Sequence, residues 1–235
     1  MELERVDIAS KRTQTGVDFL TVNPKGNVPV LELDDKDLLT ESPAIMQYLA
    51  DLKPECELAP PNGTMARYRL QEWLGFVNSD LHKGYSPLFN SATPELVRRE
   101  RQGALSRYYG LLEKLLTTQP WLLRERFSVA DAYLFTVTSR APHAGLDISR
   151  LPAISAFQQR VGERPHVRGA LLAEGLLRDW LQEIAQQPAP ASTGQSTPLT
   201  PTRRFDTCHP RVNLDKYMHN ARRNTNSYIE AAPWR

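Results

Sequence analysis

At 235 residues with 40% hydrophobic content, the chain is long enough for one large or two modest packed domains. No run approaches the roughly 20 apolar residues of a membrane-spanning helix, and Glu2, Glu4, Arg5 and Asp7 near the start are unlike a secretory signal, so the expectation is a cytoplasmic protein with no membrane partner. The net charge of +2 hides an asymmetry: residues 203–235 carry seven basic side chains against three acidic ones, +4, which leaves −2 for the remainder. Those basic residues are dispersed and accompany no nucleic-acid motif, so they read as a solvated extension rather than as a nucleic-acid site. Cys56 and Cys208 sit in dissimilar segments and supply no metal-ligand spacing.

The opening residues 2–8 read as a strand. After the Pro24-Lys25-Gly26 turn, residues 28–33 alternate inward and outward, Asp34-Asp35-Lys36-Asp37 reads as a turn, and Leu38-Leu39-Thr40 returns as a second strand. A helix follows at once, with Ser42 expected as its N-cap, Pro43 at its first position and an apolar face of Ile45, Met46, Tyr48 and Leu49. Free N–H groups and the Ser42 hydroxyl at that positive helix end would hold a carboxylate, and Glu41 beside them would take an ammonium group. A free amino acid carries both. Pro29 removes a donor from the strand, and a cis bond before it would turn the Val28 N–H and C=O outward toward an extended peptide. Taken singly, each feature is more readily structural than functional.

Pro54, Pro60, Pro61, Asn62 and Gly63 mark a linker, after which the pattern turns helical. Leu70, Trp73, Leu74, Val77 and Leu81 form a core stripe on a first long helix that ends near His82 and Lys83. Thr93-Pro94-Glu95 starts a second helix running to about Leu116. Ser128 and Asp131 form an S-x-x-D cap with Phe127 just outside it, a structural element. Pro152 and Pro165 open or punctuate two later helices ending near Gln187. The run from Pro188 onward is rich in Pro, Ser and Thr and lacks periodicity. The organisation expected is therefore an α/β piece over residues 1–57, an all-helical domain over 64–187, and a low-complexity, disordered basic tail over 188–235.

In this order and spacing, FLTVNPKGNVPVLELDDKDLLTESPAIMQYLAD (19–51), together with Trp73-Leu74, DLHKGYSPLF (80–89) and FSVADAYLF (127–135), closely resembles the bacterial beta class of glutathione transferases. The likeness fades after about Leu177. It implies a thioredoxin-like α/β N-terminal domain followed by an all-α C-terminal domain, with a cleft between them, glutathione as co-substrate and a homodimer as the assembly. It also implies a cis Pro29, Lys11 on the glycine carboxylate of glutathione, Asn27 and Val28 on its cysteinyl unit, Glu41 and Ser42 on its γ-glutamyl end, and His82 and Lys83 facing the cleft. No metal is implied. Positive charge from Lys11, Lys83 or a protonated His82 would favour the thiolate over a thiol whose ordinary pKa is about 8.5. His82 is the one catalytic candidate, against the simpler reading of a helix-end side chain satisfying terminal carbonyls.

The chain also departs from the family pattern. Gly75 stands where the family has an asparagine. Residues 2–8 align with the family's second strand, so the first strand and helix, with the Cys or Ser that contacts the glutathione sulfur, have no counterpart. The N-terminal domain is therefore expected to be incomplete, with residues 3–8 separated from the Val28 strand. Two functions follow from the resemblance: conjugation of glutathione to small electrophiles, with activity reduced by the missing segment, or noncatalytic binding of glutathione or apolar ligands. A fragment acting only through its tail is the remaining alternative.

Overall fold

The computed structural model describes residues 3–185, and the expected tail over 188–235 lies outside them. Strand β1 (Val6–Asp7) pairs antiparallel with β2 (Arg12–Thr13), Val6 opposite Thr13. Helix α1 (Phe19–Val22) is a single turn whose Leu20 N–H is capped by the Asp18 carboxylate at 3.0 Å. Strand β3 (Val30–Glu32) pairs antiparallel with β4 (Leu38–Thr40), Val30 opposite Thr40, and helix α2 (Ser42–Asp51) follows directly. The two hairpins are separate sheets, with no ladder joining residues 3–8 to the strand after Val28. Strand β3 is shorter than the expected 28–33. Pro29 has no N–H for a ladder, and Leu33 is already committed to the turn, its N–H donating to the Asp37 carbonyl at 2.8 Å. Leu31, Ile45 and Leu49 form a small core beneath this second hairpin, flanked by Leu33 and Leu39.

The larger core belongs to the helices. Helix α3 (Met65–Phe76) is capped by Thr64, whose hydroxyl accepts the Arg67 N–H at 3.2 Å. The expected single long helix is interrupted. A π-helical turn, Val77–His82, leads into α4 (Lys83–Tyr85) and a 3-10 turn, Ser86–Phe89. The extra residue in a π turn shifts the helical register without disturbing the apolar spacing, so Leu70, Leu74, Val77 and Leu81 are all buried while Trp73 is half-buried. Helix α5 (Glu95–Thr118) is followed by α6 (Val129–Thr138), α7 (Pro152–Gly162), α8 (Pro165–Ala173) and α9 (Leu177–Ala185).

Long-range side chains set how these helices meet. Helix α7 begins with a proline and has no side-chain cap of its own. Both oxygens of Glu113 on α5 accept its first free donors, the Ala153 and Ile154 N–H groups, at 2.9 Å each. Trp180 of α9 lies against Gly162 so closely that a Cβ there would fall 2.1 Å from the indole, so only glycine permits this approach. Gly75 is different: it is exposed inside α3 with open space around the Cβ position. Gly75→Ala should therefore raise stability by about 0.5–1 kcal/mol, seen as a higher urea midpoint with an unchanged m-value. Among the described residues, no helix is long and apolar enough to cross a membrane.

Candidate functional site

The turn before Val28 is built by Asn23. Buried at the end of α1, its side chain donates to the Asn27 carbonyl at 2.7 Å and accepts the Lys25 N–H at 3.2 Å, while its carbonyl accepts the Gly26 N–H at 2.8 Å. Gly26 sits at φ +64°, a left-handed conformation that favours glycine, and a Cβ there would come within 3.1 Å of the Leu20 side chain. Lys11, half-buried, reaches across from the first hairpin and donates to the Gly26 carbonyl at 3.0 Å. Lys11, Asn27 and Val28 thus gather on one loop cluster. The Val28–Pro29 bond is cis. No described residue hydrogen-bonds the Val28 N–H or C=O, and Val28 and Pro29 are half-buried with Asn27 exposed.

The helix start beside this turn differs from the expected one by a residue. Glu41, not Ser42, is the N-cap, with Ser42 and Pro43 the first helical residues. The reason lies in the backbone: Glu41 adopts φ 72° and ψ 117°, outside helical space and in a region that side chains other than glycine's rarely enter, while its carbonyl accepts the Ala44 and Ile45 N–H groups at 3.0 Å each. Pro43 has no N–H and the Ser42 hydroxyl is engaged by Tyr133, so the free donor at this helix start is the Ser42 N–H, fewer than the sequence suggested. The Glu41 carboxylate faces Lys25, whose ammonium lies 2.7 Å from it and 2.8 Å from the Thr40 hydroxyl. An internal ammonium therefore occupies the carboxylate expected to receive one from a ligand. Both side chains are exposed, and pairs of this kind contribute roughly 0–1 kcal/mol, so a ligand's ammonium can exchange with Lys25.

The π turn carries the third part. His82 Nδ1 lies 2.7 Å from the Tyr133 hydroxyl, which donates to Asn78 Oδ1 at 2.9 Å, and the His82 and Tyr133 rings meet edge-on at 5.8 Å. Burial, helped by the Arg140 and Lys83 charges, lowers the His82 pKa from its ordinary 6.5 to about 3. Such a shift favours a neutral imidazole near pH 7, which leaves Lys11 and Lys83 as the sources of positive charge among the three named from the sequence. The imidazole also bonds to a side chain and not to helix-terminal carbonyls. Burial raises the Tyr133 hydroxyl well above its ordinary value; Arg140 and a hydrogen bond from Ser42 oppose this, and the Glu41 charge reinforces it. Tyr133 thus stands where the start of α2 meets the π turn. Lys83 is exposed on α4. Neither Tyr133 nor Asn78 carried a local sequence signal for this role.

Ser128 and Asp131 lie outside this cluster but hold α6, which carries Tyr133 two residues further on. The Asp131 carboxylate accepts the Ser128 N–H, the Ser128 hydroxyl and the Leu122 N–H, each at 2.8 Å. Burial raises its pKa to about 6, against the pull of those same donors. Phe127 packs edge-on against Trp121 at 5.2 Å, with the Arg164 guanidinium 3.9 Å above its ring. No group of His, Cys, Asp and Glu among the described residues could hold a metal ion.

Residues 2–52 match the model of the glutathione S-transferase N-terminal domain, and residues 76–165 match that of its C-terminal domain. Glutathione S-transferase GstA of Escherichia coli O157:H7 is 45% identical over 174 residues, 74% of this chain and 87% of that protein. The structure of a ternary complex of BphK, a bacterial GST, superposes with a TM-score of 0.73 at 48% identity, covering 74% of this chain and 88% of the other. A bacterial beta class glutathione S-transferase from Sphingomonas chungbukensis gives 0.71 at 43% identity, covering 74% and 86%. With a thioredoxin-like N-terminal part and an all-α C-terminal part in the same order as these proteins, the chain belongs to the glutathione S-transferase family.

Proposed function

We propose that this protein is a cytoplasmic glutathione transferase that binds the tripeptide between the Val28 turn and the start of α2 and conjugates its thiolate to small electrophiles. One contact carries the reading. The Lys25–Glu41 contact at 2.7 Å shows how near the turn stands to the helix start, so the unpaired Val28 backbone and the groups for an amino-acid terminus lie side by side. Lys11 would pair with the glycine carboxylate, Asn27 and the Val28 backbone with the cysteinyl unit, and Glu41 and Ser42 with the γ-glutamyl end. Near His82 and Lys83 the bound thiol would meet positive charge from Lys83, which favours the thiolate and its attack on an electrophilic carbon. The solved glutathione S-transferase of a sphingomonad, 40% identical to this chain, is complexed with glutathione, which supports the same co-substrate here.

The domain division at residues 1–57 and 64–187 belongs to this proposal. So does a homodimer, for which exposed Tyr48 and Leu52 at the end of α2, with Met65 and Tyr68 on α3, offer an apolar face. The neutral state of His82 favours a second reading, a noncatalytic glutathione binder, because an uncharged imidazole lends the thiolate no positive charge near pH 7. A conjugation assay with a chloronitrobenzene acceptor separates the two. The transferase reading expects turnover above the uncatalysed rate, falling to background when Glu41→Ala and Ser42→Ala are combined; glutathione-agarose retention without turnover would establish the binder instead.

A further inference from the structure

We infer that Tyr133 is a positioning residue for His82: its hydroxyl, held by Asn78, fixes the imidazole in the Nδ1–H form and leaves Nε2 as the unprotonated nitrogen. A phenol hydroxyl has one hydrogen to donate and two lone pairs to offer. Here the hydrogen is directed to Asn78 Oδ1 at 2.9 Å. The 2.7 Å contact with His82 Nδ1 must then use a tyrosine lone pair, so the imidazole supplies the hydrogen. The edge-on ring contact, 83° between planes, restrains the imidazole from a second direction. Free histidine in water prefers the opposite tautomer, with the proton on Nε2, so the site reverses an intrinsic preference through one hydroxyl.

The arrangement spans two elements. Asn78 and His82 are four residues apart on the π turn, and Tyr133 comes from α6, whose start is locked by Asp131. Neither end can turn without breaking a hydrogen bond. The value of the arrangement to chemistry rests on the transferase reading above: an Nε2 lone pair can accept a hydrogen bond from the glutathione S–H and orient it, whereas an Nε2–H could not. Tyr133 would touch neither substrate, and its effect would pass through His82.

The tautomer can be read directly from the full-length protein by ¹⁵N–¹H NMR with labelled histidine, the His82 signals being identified by their loss in His82→Gln. The inference expects the wild-type signals of an Nδ1–H imidazole. Tyr133→Phe, which keeps the ring and removes the hydroxyl, should shift them to the Nε2–H form. Asn78→Ala should do the same by another route, since the freed tyrosine hydrogen would turn to Nδ1. In the conjugation assay, Tyr133→Phe should lower kcat about tenfold with the glutathione KM changed less than about twofold, and should add nothing in a His82→Gln background. An Nε2–H imidazole in the wild type, or a tautomer unmoved in Tyr133→Phe, would overturn the inference. The expected tautomer changes in a protein that conjugates nothing would sink the transferase reading and leave the positioning role standing.

Discussion

Asp131→Ala should lower the unfolding free energy by about 3–5 kcal/mol, the range in which loss of a buried, multiply bonded group falls. Its side chain is 0% exposed and serves three donors in two segments: the Ser128 N–H and hydroxyl at the start of α6, and the Leu122 N–H in the preceding loop. Alanine leaves two buried backbone N–H groups without acceptors, each carrying a penalty of about 1–3 kcal/mol, besides removing the helix cap. Urea denaturation measures the loss, and a change below 1 kcal/mol would contradict the argument. The pH dependence has a definite sign. Burial raises the folded pKa to about 6 from 3.8, so between those values the folded chain holds a proton that the unfolded chain releases. This contribution to stability is fully present below about pH 4 and is lost as the pH rises through 6. His82 slopes the other way, its folded pKa of about 3 lying below 6.5, so its share is present above pH 6.5 and lost as the pH falls. Comparison of Asp131→Asn with wild type across pH 4–7 isolates the first slope, which should be missing in the variant.

Arg67→Ala should destabilise by about 2–4 kcal/mol and loosen α2 in particular. Arg67 is 3% exposed on α3, yet four of its contacts reach toward α2 and the linker. Its two terminal nitrogens grip both oxygens of Asp51 at 2.8 and 2.7 Å, Nε donates to Gln47 at 3.2 Å, and Nη1 also donates to the Pro60 carbonyl at 3.0 Å. The guanidinium beside Asp51 holds that carboxyl below its ordinary range. Arg67→Lys should recover only part of the loss, because an ammonium cannot reproduce the two-pronged contact. Faster hydrogen exchange should concentrate in α2, which carries Glu41 and Ser42 at its start. Uniform acceleration across the helical core would argue against this coupling.

How much of this could be read from residue order depends on the span of each interaction. The hairpin after Pro29 and the S-x-x-D start of α6 arise from neighbours within a few residues, and they were legible, whereas the cis bond before Pro29 followed from the family resemblance and not from the residues around it. The exact helix start was not, because whether Glu41 or Ser42 caps α2 is decided by one backbone angle, φ 72° at Glu41, which residue type does not announce. The π turn was hidden because Leu74, Val77 and Leu81 keep an apolar spacing that an uninterrupted helix would also show. Tyr133 reaches Asn78 across 55 positions and His82 across 51, and Glu113 reaches α7 across 40. No local pattern encodes such pairings. The burial that lowers the His82 pKa was out of reach for the same reason, since it comes from elements distant along the chain.

The function proposed for this protein rests on glutathione binding where the Val28 turn meets the start of α2. Isothermal titration calorimetry with glutathione at up to millimolar concentration tests it most directly. A saturable heat, with affinity lowered at least about tenfold when Glu41→Ala and Ser42→Ala are combined, is the predicted result. Absence of any binding heat from the folded wild-type protein, or equal affinity in the double variant, would contradict it.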